Sequence, residues 1–155
     1  MEELFEQEYK KIEKSLFLVA FGYLHNTEDA RDAVQDAVLS AYSKIGTLKN
    51  REYFKTWLTR IVINKCKDFL KCRRYTEELS DELNIFCDLQ DRDFEIVDLI
   101  CRLEKEEALY ITLRFYNDMT YAEVARLLRR PVSTVKNHTA KAIEKLKLLM
   151  EGDSK

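Results

Sequence analysis

Apolar residues recur every third or fourth position at the start of the chain. Leu4, Phe5, Tyr9, Ile12, Leu16, Val19, Ala20, Tyr23 and Leu24 share one side of a helical repeat, which predicts an amphipathic helix over residues 3–25 that ends between Gly22 and Asn26. "NTEDARDAVQDAVLSAY" (26–42) then opens a second helix, with Asn26 or Thr27 as its N-cap and Glu28 and Asp29 in the first turn, where the helix dipole favours acids. Gly46 to Arg51 is a short polar loop, and a third helix runs from Tyr53 to about Arg74 without a breaker.

After Arg74 the pattern weakens: residues 76–98 hold nine acids against one base, Arg92, which marks residues 76–93 as an acidic linker with only scattered apolar positions. From Phe94 the helical repeat resumes through "FEIVDLICRLEKEEALYITLRFY", breaks at Asn117-Asp118, and ends in two short helices over about 120–128 and 132–149. The expected architecture is all-α, with two small helical domains, 1–75 and 94–155, whose individual cores are marginal at that size.

Composition agrees with that reading. Three glycines and one proline, Pro131, leave few helix breakers and no room for a glycine-rich phosphate loop. The longest apolar run, "SLFLVAFGYL" (15–24), is shorter than the roughly 20 residues of a membrane span, and the acidic amino terminus is unlike a signal peptide, so a cytoplasmic protein is expected. Cys66, Cys72, Cys87 and Cys101 form no C-x-x-C pair, and His25 and His138 are not at zinc-ligand spacing from them, so neither a metal nor a cofactor is expected and the thiols read as reduced.

Charge changes the picture more. The formal net charge is only −2, yet between Lys44 and Arg74 ten basic residues face two acids, Glu52 and Asp68. Within the third helix Arg60, Asn64, Lys67, Lys71 and Arg74 are spaced by four, three, four and three, forming one polar stripe opposite Phe54, Trp57, Leu58, Ile61, Val62 and Phe69. Tyr53, Phe54 and Trp57 are expected mostly in the core. Acids elsewhere cancel these bases in the total, but a phosphate responds to the local field.

A second basic face lies in "MTYAEVARLLRRPVSTVKNHTAKAIEKL". Thr120 and Glu123 have capping-box spacing, Val124, Ala125 and Leu128 form an inner face, and after a turn at Arg129 to Val132 a helix starts at Ser133 or Thr134. Val135, Ala142, Ile143, Leu146 and Leu149 are assigned to its inner side and Thr134, Asn137, His138, Lys141 and Lys145 to its outer side. Short turn, small Ala125 and basic strip together describe a helix-turn-helix that reads duplex DNA in the major groove. Arg129 needs a left-handed backbone there, at about 1 kcal/mol.

The succession "DARDAVQDAVLSAY", "FKTWLTRIVINKCKDFLKCRRY", acidic linker and "MTYAEVARLLRRPVSTVKN" closely resembles the extracytoplasmic-function class of bacterial RNA polymerase sigma factors, over nearly the whole chain. The resemblance implies an alternative sigma factor: a non-catalytic specificity subunit that binds core RNA polymerase, recognises and helps melt the −10 promoter element, and reads the −35 element. It maps polymerase clamp binding onto Asp29, Asp32, Gln35 and Asp36. It maps −10 contacts onto the loop Thr47 to Tyr53, including Lys49 and Arg51, and onto Arg60, Asn64, Lys67, Lys71 and Arg74. Contacts to the −35 element map onto Arg129, Arg130, Ser133, Thr134, Lys136, Asn137, His138 and Lys141. It also implies promoter DNA and an anti-sigma protein as partners, with no small-molecule substrate.

The chain departs from the family pattern at several positions. Arg129 stands where glycine is common, Arg130 where an apolar residue is usual, Pro131 where proline is not, and Glu104 where proline is. His138, Thr139 and Ala140 replace frequent Arg, Leu and His. The rival reading is a stand-alone helix-turn-helix regulator that binds duplex DNA without polymerase. Such a protein ordinarily carries a sensory or receiver domain, and the first domain lacks the strand-helix alternation of one.

Overall fold

The computed structural model describes residues 2–75 and 91–153. The tract read as a linker therefore lies outside the described residues, except for its last three. Among the described residues there are seven helices and no strand, and the chain divides into two compact units, 1–86 and 87–155.

The amino-terminal unit packs α1 (Glu2–Leu24), α2 (Thr27–Lys44) and α3 (Phe54–Tyr75) pairwise against one another. The first helix ends where His25 turns to φ 51 and donates its N–H to the Phe21 carbonyl at 2.8 Å. Asn26 is the N-cap of α2, its Oδ1 accepting from the Asp29 N–H at 3.0 Å, so one of the two expected caps is used. The buried face of α2 is Ala30, Ala33, Val34, Ala37 and Ala41, small enough for both neighbours to approach closely. Leu16, Val19, Ala20, Leu58, Val62 and Cys66 meet it from α1 and α3. Phe5 stands edge-on to Phe54 and Tyr42 at 5.4 and 5.6 Å, joining the start of α1, the end of α2 and the start of α3. Of the aromatic cluster expected in the core, Phe54 is buried and Trp57 half-buried, but Tyr53 is 56% exposed. It lies in the turn before α3, Arg51–Tyr53, whose direction the α3 repeat does not govern.

In the carboxy-terminal unit the single helix expected from Phe94 is two, α4 (Asp91–Arg102) and α5 (Lys105–Ile111), because Glu104 leaves helical backbone at ψ 155. Acids at Glu106 and Glu107 in the first turn of α5 suit a new helix start. Residues Thr112–Tyr116 continue it as a widened π-helical turn, where the Asn117 N–H reaches the Thr112 carbonyl at 3.0 Å. The break at Asn117-Asp118 falls as expected, with Asp118 at φ 52. Next come α6 (Tyr121–Leu128) and α7 (Val132–Asp153). Thr120 caps α6 by accepting from the Glu123 N–H at 3.1 Å, and its hydroxyl faces the Glu123 carboxylate at 3.3 Å.

Arg129 closes α6 in the left-handed conformation, φ 56 and ψ 48, and the Arg130 N–H reaches back to the Ala125 carbonyl at 3.0 Å. This is a Schellman closure with arginine where glycine would be unstrained. Replacing Arg129 by Gly removes the left-handed strain while adding unfolded-state entropy, and raises stability by a net amount of about 0.5–1 kcal/mol. Urea unfolding of Arg129→Gly beside the parent chain measures it, and an unchanged or lower midpoint contradicts the strain assignment.

Candidate nucleic-acid interface

The buried stripe of α3 fixes what its far side presents. Leu58, Val62, Ile63 and Cys66 are buried, and Arg60, Asn64, Lys67 and Lys71 are all exposed. The expected basic row therefore exists as one open face, and the Arg74 side chain lies outside the described residues. Thr59, fully buried on the core side, gives its hydroxyl proton to the Lys55 carbonyl at 2.7 Å. Burial pushes the Cys66 thiol up to about 12, which makes it inert as a ligand or nucleophile.

The loop ahead of α3 is held at both ends. The Thr47 hydroxyl donates to the Lys44 carbonyl at 2.7 Å, and the Asn50 Oδ1 accepts from the Glu52 N–H at 3.0 Å. Lys49 and Arg51 are exposed on this short support beside Tyr53. On α2 the alanine face points inward, so Asp32, Gln35 and Asp36 are exposed together, with Asp29 half-buried at the helix start. The stripe continues into Leu39, 71% exposed, which periodicity alone does not flag because an apolar residue on a helix is by default assigned to the core.

In the helix-turn-helix, Val135, Thr139 and Ala142 are buried, and Ser133, Lys136, Asn137, Ala140 and Lys141 are exposed, with Thr134 half-buried. The expected outer strip is thus corrected by a rotation: His138 and Lys145 turn toward α5. His138 stacks on Tyr110 with ring centroids 5.3 Å apart and planes 7° apart, and Lys145 Nζ pairs with Glu107 Oε2 at 3.2 Å. The reason is helical phase, since three residues from Val135 amount to only about 60° around the axis. The Arg130 side chain also turns inward. Its Nη1 donates to the Tyr110 hydroxyl at 2.9 Å and its Nη2 to Glu106 Oε1 at 2.8 Å. The hydrogen bond from Arg130 holds the Glu106 carboxyl below the usual glutamate range. Arg129 is exposed at the turn.

A further cation joins the exposed face. The Arg114 guanidinium lies 5.0 Å from the Tyr121 ring and 5.7 Å from that of Phe115, and Lys136 Nζ lies 5.8 Å from the same Tyr121 ring. Sequence reading missed Arg114. Its one visible signal is a lone arginine among apolar residues between two aromatics. Among the described residues, no group of three or more His, Cys, Asp or Glu is placed to hold a metal ion, and no helix is long and apolar enough to cross a membrane.

Two helical units, each with an open polar and basic face and the second built on a helix-turn-helix, define a DNA-binding protein of transcription. Residues 9–76 match the family Sigma-70 region 2, and residues 93–146 match Sigma-70, region 4. The ECF RNA polymerase sigma factor SigM of Mycobacterium tuberculosis is 30% identical over 152 residues, covering 94% of this chain and 76% of that protein. RNA polymerase sigma factor SigV of Bacillus subtilis is 28% identical over 139 residues, covering 87% and 84%. Among solved structures, the sigma factor RpoE of Bartonella quintana, in complex with the anti-sigma factor NepR, aligns with a TM-score of 0.75 at 20% identity, covering 95% and 96%. The chain belongs to the ECF RNA polymerase sigma factors. It is an alternative sigma factor directing transcription initiation, and not a stand-alone regulator, since the region 2 match accounts for the first unit.

The Glu106–Arg130 pair makes the second unit sensitive to acid. Because the native carboxyl is held below its unfolded range, its contribution is complete above that range and is lost as the pH falls through the native value. The pair is partly exposed and screened, so the loss is under about 1 kcal/mol. Thermal melts across the acid range should show it, and Glu106→Gln should flatten that part of the profile; an identical slope in the variant would contradict it.

Proposed function

We propose that the two units divide promoter recognition, with 1–75 binding core polymerase and the −10 element, 76–93 acting as an acidic connector, and 94–155 reading the −35 element. The observation that carries this reading is the open row Arg60, Asn64, Lys67 and Lys71 on a helix whose opposite side is core. A displaced single strand is held by such a row because cations track its phosphates while nearby aromatics take over the stacking of a base turned out of the duplex. Lys49, Arg51 and exposed Tyr53 stand on the loop at the start of that helix, and Arg74 would extend the row. Asp29, Asp32, Gln35 and Asp36, with Leu39 as an apolar anchor, form the surface offered to the polymerase clamp.

For the −35 element the contacting groups are Arg129, Ser133, Thr134, Lys136, Asn137 and Lys141, joined by Arg114. Asn137 suits a base edge and the lysines suit phosphates. His138 lies on the scaffold side of this set, and its contribution is to hold α7 through Tyr110. The protein has no catalysis of its own and acts in the cytoplasm alongside polymerase. An anti-sigma protein is the expected regulator, as RpoE was solved with NepR and CnrH with the cytosolic domain of CnrY.

The decisive experiment is transcription from a genomic library by purified core polymerase with and without this chain. New start sites should appear only when the chain is added. Within that assay, Asp32→Lys with Asp36→Lys should weaken core binding by about tenfold or more, through charge reversal at a complementary interface, without loss of helix content. Undiminished core affinity would remove the clamp assignment. Lys67→Ala with Lys71→Ala should reduce strand opening, followed by permanganate reactivity, more than it reduces duplex binding. An equal loss in both would argue for plain phosphate contact.

A further inference from the structure

Arg130 is a cation in the turn of a DNA-reading motif, where a phosphate contact would be the ordinary assignment. Its side chain is committed elsewhere. Two of its nitrogens are bonded to groups on α5, Nη1 to the Tyr110 hydroxyl at 2.9 Å and Nη2 to Glu106 Oε1 at 2.8 Å. Tyr110 is 1% exposed, and a hydroxyl brought that deep needs a partner. Arg130 supplies it, and the other end of the same ring is covered by His138 from α7, nearly coplanar at 7°. Lys145, two turns farther along α7, pairs with Glu107, the neighbour of Glu106. The turn and one side of α7 are thereby fastened to a single side of α5.

We infer that Arg130 is a positioning residue for promoter reading, and that the Arg130–Glu106–Tyr110–His138 cluster sets the orientation from which Lys136, Asn137 and Lys141 meet DNA. This rests on the proposed reading of duplex DNA by the second unit. The backbone alone does not fix this orientation. Arg129 is held left-handed at the turn, and Pro131 contributes no N–H, so side chains must tie the start of α7 to the scaffold. An apolar residue at 130 would leave the Tyr110 hydroxyl without this partner.

The sign of one substitution separates positioning from contact. Taking a carboxylate away near a polyanion strengthens binding by electrostatics alone, and would free Arg130 for a phosphate. If Glu106 instead holds Arg130 in a working geometry, its loss weakens binding. The experiment uses the full chain with core polymerase and the duplex that this complex enriches from a random library. Affinity is measured between about 50 and 200 mM salt for the parent, Arg130→Ala, Glu106→Gln, Tyr110→Phe and the Arg130→Ala/Glu106→Gln pair. Amide exchange over residues 129–136 is followed without DNA in the free chain.

Arg130→Ala and Glu106→Gln should each weaken binding by about three- to tenfold, the pair little more than either alone, because both break one interaction. The salt slope should stay at the parent value, and exchange over 129–136 should rise in both. Tyr110→Phe, which keeps the ring under His138, should give a smaller loss in the same direction. Tighter binding by Glu106→Gln, or a salt slope reduced by about 0.9 in Arg130→Ala, would make Arg130 a phosphate contact and overturn the inference. Unchanged exchange in both variants would overturn it as well. Faster exchange with no duplex enriched would leave the cluster as the positioning device of α7 and remove the duplex-reading assignment instead.

Discussion

The constraint behind both units is that a helix with one side given to a core has only its remaining side for charge, and here helices of opposite charge are kept apart. On α2 the inner side is almost all alanine, which lets α1 and α3 close over it. Because that side is so narrow, Asp32, Gln35, Asp36 and Leu39 remain together on the outside. On α3 the core side is Leu58, Val62 and Cys66, which leaves Arg60, Asn64, Lys67 and Lys71 in a row facing away. A near-neutral chain can therefore offer an acidic surface to a protein and a basic one to nucleic acid without either annulling the other, since charges separated by more than a Debye length of about 8 Å are largely screened.

The same constraint explains why much of the fold was legible beforehand. Periodicity placed the helix spans of the first unit and the break at Asn117-Asp118. Asn26 and Thr120 announced their helices through side-chain oxygens at the right distance from the first amides. The left-handed Arg129 followed from a turn too short to be made otherwise. What stayed hidden depends on contacts between elements. No local signal makes Glu104 abandon the helix, because glutamate is an ordinary helix former. The widened turn at Thr112–Tyr116 is stabilised by the Thr112 hydroxyl shared between the Ala108 and Leu109 carbonyls, a geometry with no sequence signature.

Site residues divide along the same line. Exposure of the α3 row needed only the phase of one helix, and the sequence supplied that. The inward turn of Arg130 needed knowledge of Tyr110 and Glu106, twenty and twenty-four residues earlier, and charge alone pointed the other way. Lys145 was misplaced for the same reason, its partner Glu107 being distant in sequence. Leu39 and Arg114 were passed over because each type has a bland default, core for the one and solvent for the other.

The π-helical turn at Thr112–Tyr116 carries a consequence for the length of this stretch. Winding with a hydrogen bond from each residue to the fifth before it holds one residue more than α-helical winding over the same span. Were a single residue deleted here, the helix would regain its regular pitch and everything downstream would arrive about 100° out of phase. Met119, fully buried, and Tyr121, beside Arg114 and Lys136, could not then both regain their neighbours. The segment thus acts as a fixed spacer: its side chains tolerate replacement more readily than its residue count tolerates change.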